Sequence, residues 1–204
     1  MGRAFRQKDK KSQGKNRILK KTIKIGKHEV DQKIVLGVVF ILGFLIAVYP
    51  IISQMYYSVE STQEIKDFDE NRERMARSEL NRKIELAKGY NASLKPTNLK
   101  DPYKDKQKEG IAEYARMLEV HEKIGYVSIP KIRQKLPIYA GTAETVLEKG
   151  AGHMEGTSLP VGGASTHTVI TAHRGLPSAT MFRHLDELKR GDIFYIHNIR
   201  DVLA

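Results

Sequence analysis

The sequence predicts a mainly β fold, a small barrel of short strands and short helices, set behind one transmembrane helix and a helical stalk. Three observations carry this. From residue 124 onward, β-branched and aromatic runs of five to seven residues alternate with Gly- and Pro-bearing turns at close spacing. That pattern lacks the strand–helix–strand rhythm of a parallel sheet. Residues 34–52 contain no charge at all. The basic charge, finally, is concentrated at the beginning of the chain. Residues 1–33 carry twelve Lys and Arg against Asp9, Glu29 and Asp31, a net of +9 out of the total +11. The rest of the chain is close to neutral, so the overall basicity does not mark a nucleic-acid-binding domain.

Residues 1–27 show no apolar period and read as a disordered basic arm, within a cytoplasmic segment 1–33. The run IVLGVVFILGFLIAVYPII (34–52) has 19 residues. At about 1.5 Å per residue it nearly crosses a hydrocarbon core of about 30 Å. Tyr49, Tyr56 and Tyr57 fall where an interfacial aromatic belt is expected. No small-x-small cleavage site comes after it, which argues for an anchor in contact with membrane lipid over a signal peptide. The positive flank precedes the helix, so the chain after residue 53 is expected outside the cell.

Residues 53–110 are read as an extracellular stalk and loop. Ser61-Thr62-Gln63-Glu64 fits a capping box, and a charged helix is predicted over 61–88, stopped by Gly89. Ile65, Phe68, Met75 and Ile84 give it only a thin apolar stripe, suited to loose packing. Residues 91–108 read as a loop. Within it, Pro102 holds Asp101 extended beside Tyr103.

Residues 111–204 form the barrel segment. Strands are predicted at 124–130 and 136–140, with Pro130 and Pro137 marking strand borders or edges. One or two helical turns are expected at 142–149, opened by Thr142 or Ala143 and closed by Gly150. Residues 150–153 and 156–165 are expected to be loop, with Pro160 and Gly162-Gly163 as turn formers. A strand at 168–172 then delivers His173 to the point where Gly175 and Pro177 must end it. Imidazole is the side chain best suited to proton transfer near neutral pH, and a strand end is a rigid place from which to present it. Ser178 is expected to cap an amphipathic helix through 189 whose core face is Met181, Phe182, Leu185 and Leu188. A further strand at 193–197 and the start of another at 202–204 complete the pattern. The barrel left open at that point is expected to be a C-terminally truncated portion of a longer domain.

Other chemistries are disfavoured. The sequence has no Cys, which excludes disulfides, thiolate metal sites and a cysteine nucleophile within these residues. His167 and His173 on one extended strand would stand about 20 Å apart, too far to share an ion. His167 is expected to serve the barrel through a hydrogen bond, and His153 is given no metal role. Gly162-Gly163 fits no phosphate-binding pattern. No cofactor is implied.

Three blocks bear a family resemblance: Ile-Gly-Tyr-Val-Ser-Ile-Pro-Lys-Ile (124–132), Gly-His-Met-Glu-Gly-Thr-Ser-Leu-Pro-Val-Gly-Gly (152–163) and Thr-His-Thr-Val-Ile-Thr-Ala-His-Arg-Gly-Leu-Pro (166–177). With the anchor and the Asp-Pro-Tyr loop, they resemble the pilus-assembling class C sortases of Gram-positive bacteria. The resemblance implies a sortase-type β-barrel and a membrane-anchored cysteine transpeptidase. Such an enzyme cleaves an LPxTG-like sorting signal between Thr and Gly, then joins pilin subunits through a lysine amine. It implies that His173 is the catalytic acid–base and that Asp101 and Tyr103 form a lid. The family's cysteine and arginine fall beyond residue 204, and Arg174, Arg183, Arg190 and Arg200 do not match that arginine. The alternative is a non-catalytic, membrane-tethered β-domain that binds partner proteins.

Overall fold

The computed structural model describes residues 22–25, 28–94, 118, 120 and 122–204. Asp101 and Tyr103 lie outside the described residues. The chain divides into two compact units, Met1–Val48 and Tyr49–Ala204.

In the first unit, β1 (Thr22–Ile25) and β2 (His28–Asp31) pair antiparallel, with Thr22 opposite Asp31 and Ile25 opposite His28. This corrects the expectation of an arm without structure through residue 27. Thr22, Ile23, Ile25 and Val30 supply β-branched residues that favour an extended pair, a signal overshadowed by the surrounding lysines. Asp31 then starts α1 (Gln32–Arg74), its Oδ1 accepting the Lys33 N–H at 3.0 Å in the manner of a cap. The apolar residues of this stretch face outward all round, Phe40 and Ile46 being 75% exposed. A helix apolar on every side and covered by no protein has the surface of a membrane span. By length and composition it is a candidate membrane anchor.

In the second unit, α1 continues to Arg74 with Pro50 and Ser61 inside it. Ser61 is therefore no N-cap. Neighbouring Thr62 commits its hydroxyl to the Ser58 carbonyl one turn back at 2.7 Å. The chain bends at Ala76, which is extended (φ −62°, ψ 139°), and α2 (Arg77–Ser93) runs on through Gly89. The single helix predicted over 61–88 is thus two. A straight helix would carry Ile65 and Ile84 about 28 Å apart along its axis. The bend returns both to one core. Ile65, Phe68, Ile84 and Ala87 are all buried in the cluster that fills the domain, so the helical segment is part of the core and not a loosely packed stalk.

The sheet has six strands in the order β6-β5-β4-β3-β7-β8. They are β3 (Lys123–Ile129), β4 (Gln134–Ala140), β5 (Ala151–His153), β6 (Ile170–Thr171), β7 (Tyr195–His197) and β8 (Val202–Leu203). It is not closed into a barrel. β3 is buried along its whole length, because α1 covers it: Phe68 meets Tyr126 edge-on at 6.2 Å, and Lys123 pairs with Glu64. The Tyr126 ring stacks on His197 at 4.2 Å, and its hydroxyl reaches Asp69 Oδ2 at 3.3 Å. Burial, with Asp69 alongside, raises the Tyr126 phenol to about 12. Tyr57 also faces the domain and not an interfacial belt. Its hydroxyl donates to the Lys149 carbonyl at 3.0 Å, and burial raises it to about 12.

Pro130 does end β3, opening a 3₁₀ turn (Pro130–Ile132). Pro137, in contrast, lies inside β4, a central strand. It is tolerated because β5 begins to pair only at Ile138, opposite Ala151, so Pro137 needs no N–H on that side. Residues 151–153 form a strand where loop was expected. They pair parallel with β4 after a short crossover through α3 (Glu144–Leu147), a strand–helix–strand step the sequence pattern does not announce. No regular helix forms over 178–189; a 3₁₀ turn (Leu185–Glu187) stands there instead. Met181 is fully buried at φ +44°, a left-handed conformation that interrupts any helix through it, and Leu185 is 39% exposed.

Candidate active site

The site is built on the β5–β6 end of the sheet. Thr171 ends β6, and His173 comes two residues later. The strand is shorter than the 168–172 predicted because side-chain hydroxyls replace strand partners upstream. Thr157 Oγ1 accepts the Val169 N–H at 3.2 Å, and Ser158 Oγ accepts the His167 N–H at 3.1 Å. Backbone bonds from Met154 N–H to Val169 O and from Ser158 N–H to His167 O hold the same stretch. His167 thus contributes through its backbone.

Beneath this edge, His153 is fully buried. Its Nε2 lies 2.8 Å from the Ser158 carbonyl and 3.2 Å from Thr157 Oγ1. Burial lowers its pKa to about 4, only partly opposed by the Ser158 carbonyl. It is a neutral structural residue that fixes the 153–158 turn. Among the described residues no group of three His, Asp or Glu side chains could hold a metal ion.

His173 is different. Its side chain is 28% exposed, and its Nε2 lies 3.1 Å from Glu144 Oε1 at the start of α3. The backbone of His173 is held as well, its carbonyl accepting the Phe182 N–H at 3.1 Å. The loop after it is tight: Leu176 and Ala179 exchange both backbone bonds, and Arg183 donates to the Leu176 carbonyl at 2.9 Å. The Arg183 guanidinium lies against Gly175, where a Cβ would stand 2.6 Å from Nε, so a side chain there would displace the guanidinium. Arg174 points to the exposed Asp186 at 3.5 Å, and Arg200 grips Asp201 at 2.7 Å. These arginines are engaged locally. His173 therefore presents a partly accessible imidazole on a fixed backbone, with a carboxylate at one ring nitrogen, an arrangement able to take and return a proton.

Glu144 is the residue that sequence reasoning missed. It stands 29 positions from His173, and only the α3 crossover brings the two together. A groove of about 660 Å³ between α1 and the β3–β4 hairpin, lined by Tyr57, Arg133, Lys135 and His184 among others, includes neither residue.

A sortase-domain family model matches residues 127–203. Sortase D of Bacillus subtilis (strain 168) is 38% identical over 74 residues. That match covers 36% of the chain and spans about a third of Sortase D, 34% of its length. Among solved structures, Streptococcus pneumoniae Sortase C is 54% identical with a TM-score of 0.63, the match covering 69% of this chain and 70% of that one. The pilus-related Sortase C of Group B Streptococcus is 58% identical with a TM-score of 0.62, over 67% and 70% of the two chains. With more than half of the matched residues identical across 70% of these relatives, the chain belongs to the sortase family, on the class C branch.

Proposed function

We propose that this chain provides the membrane anchor, the sheet and the acid–base residue of a sortase-type cysteine transpeptidase that joins pilin subunits. The observation that carries the reading is the placement of His173, immediately beyond β6 and inside the 166–177 block, in a chain 54% identical to a Sortase C. The solved relatives are connected with pili and with pilin substrate specificity, which supports pilins with LPxTG-like signals as partners here. The 204 residues contain no Cys, so the thiol must be supplied from outside them.

In this mechanism a thiolate attacks the Thr carbonyl of the sorting signal. The Thr–Gly C–N bond breaks, and the departing amine takes a proton from His173, leaving a thioester. A lysine amine of the next pilin then attacks that thioester and gives a proton back to His173 as the thiolate leaves. An amine departs poorly unless protonated, and positioned proton transfer of this kind contributes about 10²–10⁴-fold. Asp101 and Tyr103 act as a lid that substrate displaces. Residues 34–52 span the membrane, with the basic arm inside the cell and the domain outside.

The absence of Cys favours one rival reading, a tethered β-domain that binds partners without catalysis. Protein expressed from the complete reading frame separates the two. His173→Ala should abolish pilin polymerisation while leaving membrane insertion intact; near-normal polymerisation by that variant would rule the assignment out. In the same protein, replacing Asp101 or Tyr103 should increase labelling by thiol reagents, and unchanged labelling would remove the lid.

A further inference from the structure

We infer that Glu144 is a positioning residue for His173, holding the imidazole by its Nε2 so that one ring orientation and one tautomer face the reacting groups. The inference rests on the acid–base role proposed for His173.

The geometry is specific. Glu144 Oε1 lies 3.1 Å from His173 Nε2, and a carboxylate can only accept, so the nitrogen facing it carries the hydrogen. Glu144 is 68% exposed. A contact that open to water adds little to stability, so its presence there points to orientation. The fold also goes to some length to create it. β4 ends at Ala140, and the chain crosses to β5 through α3, whose first residue is Glu144. α3 can lie this close to β5 only because residue 152 is Gly: a Cβ there would stand 2.3 Å from the Gly141 carbonyl oxygen and 3.1 Å from Leu147. The other charges around the His173 loop are partnered elsewhere, Arg174 with Asp186, Arg183 with the Leu176 carbonyl and His184 with Glu187. Among the described residues, Glu144 is the carboxylate directed at the ring. A carboxylate on the far nitrogen of a catalytic imidazole fixes its tautomer, and loss of such outer partners in other sites costs about 10–100-fold in activity.

The test uses the protein of the complete reading frame and a peptide carrying Leu-Pro-x-Thr-Gly. Glu144→Ala is expected to lower kcat about tenfold with KM nearly unchanged. Glu144→Gln, which keeps an acceptor oxygen, should recover most of that loss. Nitrogen-15 NMR of the imidazole should show His173 as the Nε2–H tautomer in the parent and a tautomer mixture in Glu144→Ala. The inference is overturned if Glu144→Ala turns over like the parent while His173→Ala is inert, or if the His173 ring nitrogens do not respond. Activity surviving in His173→Ala would instead overturn the acid–base reading on which the inference rests. The NMR comparison reads the pair independently of turnover.

Discussion

Asn91 and Leu159, 68 residues apart, exchange two hydrogen bonds: Asn91 Nδ2 donates to the Leu159 carbonyl at 3.1 Å, and the Leu159 N–H donates to Asn91 Oδ1 at 2.7 Å. One side-chain amide thus pairs with both polar groups of a fully buried residue that belongs to no strand, the carbonyl also accepting the Val161 N–H at 2.8 Å. Asn198, equally buried, performs a related task beside it by donating to the Pro160 carbonyl at 2.9 Å. The Gly-Thr-Ser-Leu-Pro-Val segment is therefore held by side chains as well as by isolated backbone bonds, where a sheet would use a backbone ladder.

Removal of this clamp should be costly for its size. Asn91→Ala leaves the buried Leu159 N–H without its partner, while the Leu159 carbonyl keeps the Val161 N–H at 2.8 Å, and one such loss costs about 1–3 kcal/mol. A destabilisation of about 1–3 kcal/mol is expected in urea unfolding of the detergent-solubilised chain. Asn91→Asp keeps the acceptor for the Leu159 N–H and should lose clearly less. Equal midpoints for Asn91→Ala and the parent would show that the clamp contributes nothing.

Much of the fold is legible in the sequence wherever the signal is local. The uncharged run, the extended runs of β3, β4 and β7, and the turn at Gly162-Gly163, where φ is +70° and +125°, all derive from neighbouring residues. The illegible elements depend on distant partners. The bend at Ala76 has no Gly or Pro and exists because Phe68 and Ile84 share one core. Strand β5 reads Ala-Gly-His, with almost no β signal, and forms because β4 offers it a parallel edge. The helix expected at 178–189 fails at Met181, which is fully buried with a left-handed backbone. At the site, His173 is legible because a strand end met by Gly and Pro is a local pattern. Glu144 is not, since the crossover that delivers it carries no sequence signature.

His153 should make the domain acid-sensitive. Its folded pKa is about 4 against an ordinary 6.5. Between those values the unfolded chain binds a proton that the folded one refuses. The contribution is therefore complete above pH 6.5 and is lost as pH falls toward 4, amounting to about 3 kcal/mol across that window. Unfolding free energies at pH 7 and pH 4.5 should converge more closely in His153→Gln than in the parent. Identical pH dependence in the two proteins would remove His153 as the cause.

The junction of α1 with the sheet should be the most sensitive core position. Phe68 is fully buried and meets Tyr126 edge-on. Phe68→Ala removes a large side chain at a site where α1, α2 and β3 converge, and substitutions of this type cost about 3–5 kcal/mol. Phe68→Leu, which refills most of the volume, should cost less than half of that. Thermal unfolding followed by near-ultraviolet dichroism of the Tyr126 environment would report both. A near-neutral Phe68→Ala would mean that α1 does not share the core.

Gly152 offers a way to separate stability from positioning. A methyl group there would collide with the Gly141 carbonyl oxygen at 2.3 Å, a backbone atom that cannot swing aside. Either β5 or the α3 crossover must move, and overpacking of this kind costs about 1–3 kcal/mol. Because α3 carries Glu144, the same displacement lengthens the 3.1 Å contact to His173. Gly152→Ala should therefore lower the unfolding temperature and perturb the His173 ring nitrogens together, whereas Glu144→Ala should perturb the ring with little change in stability. The two variants share the ring perturbation only if α3 is the element that transmits the substitution to the site. Should Gly152→Ala lose stability while the His173 resonances stay fixed, β5 has yielded and α3 has not, and the crossover is not what sets the imidazole.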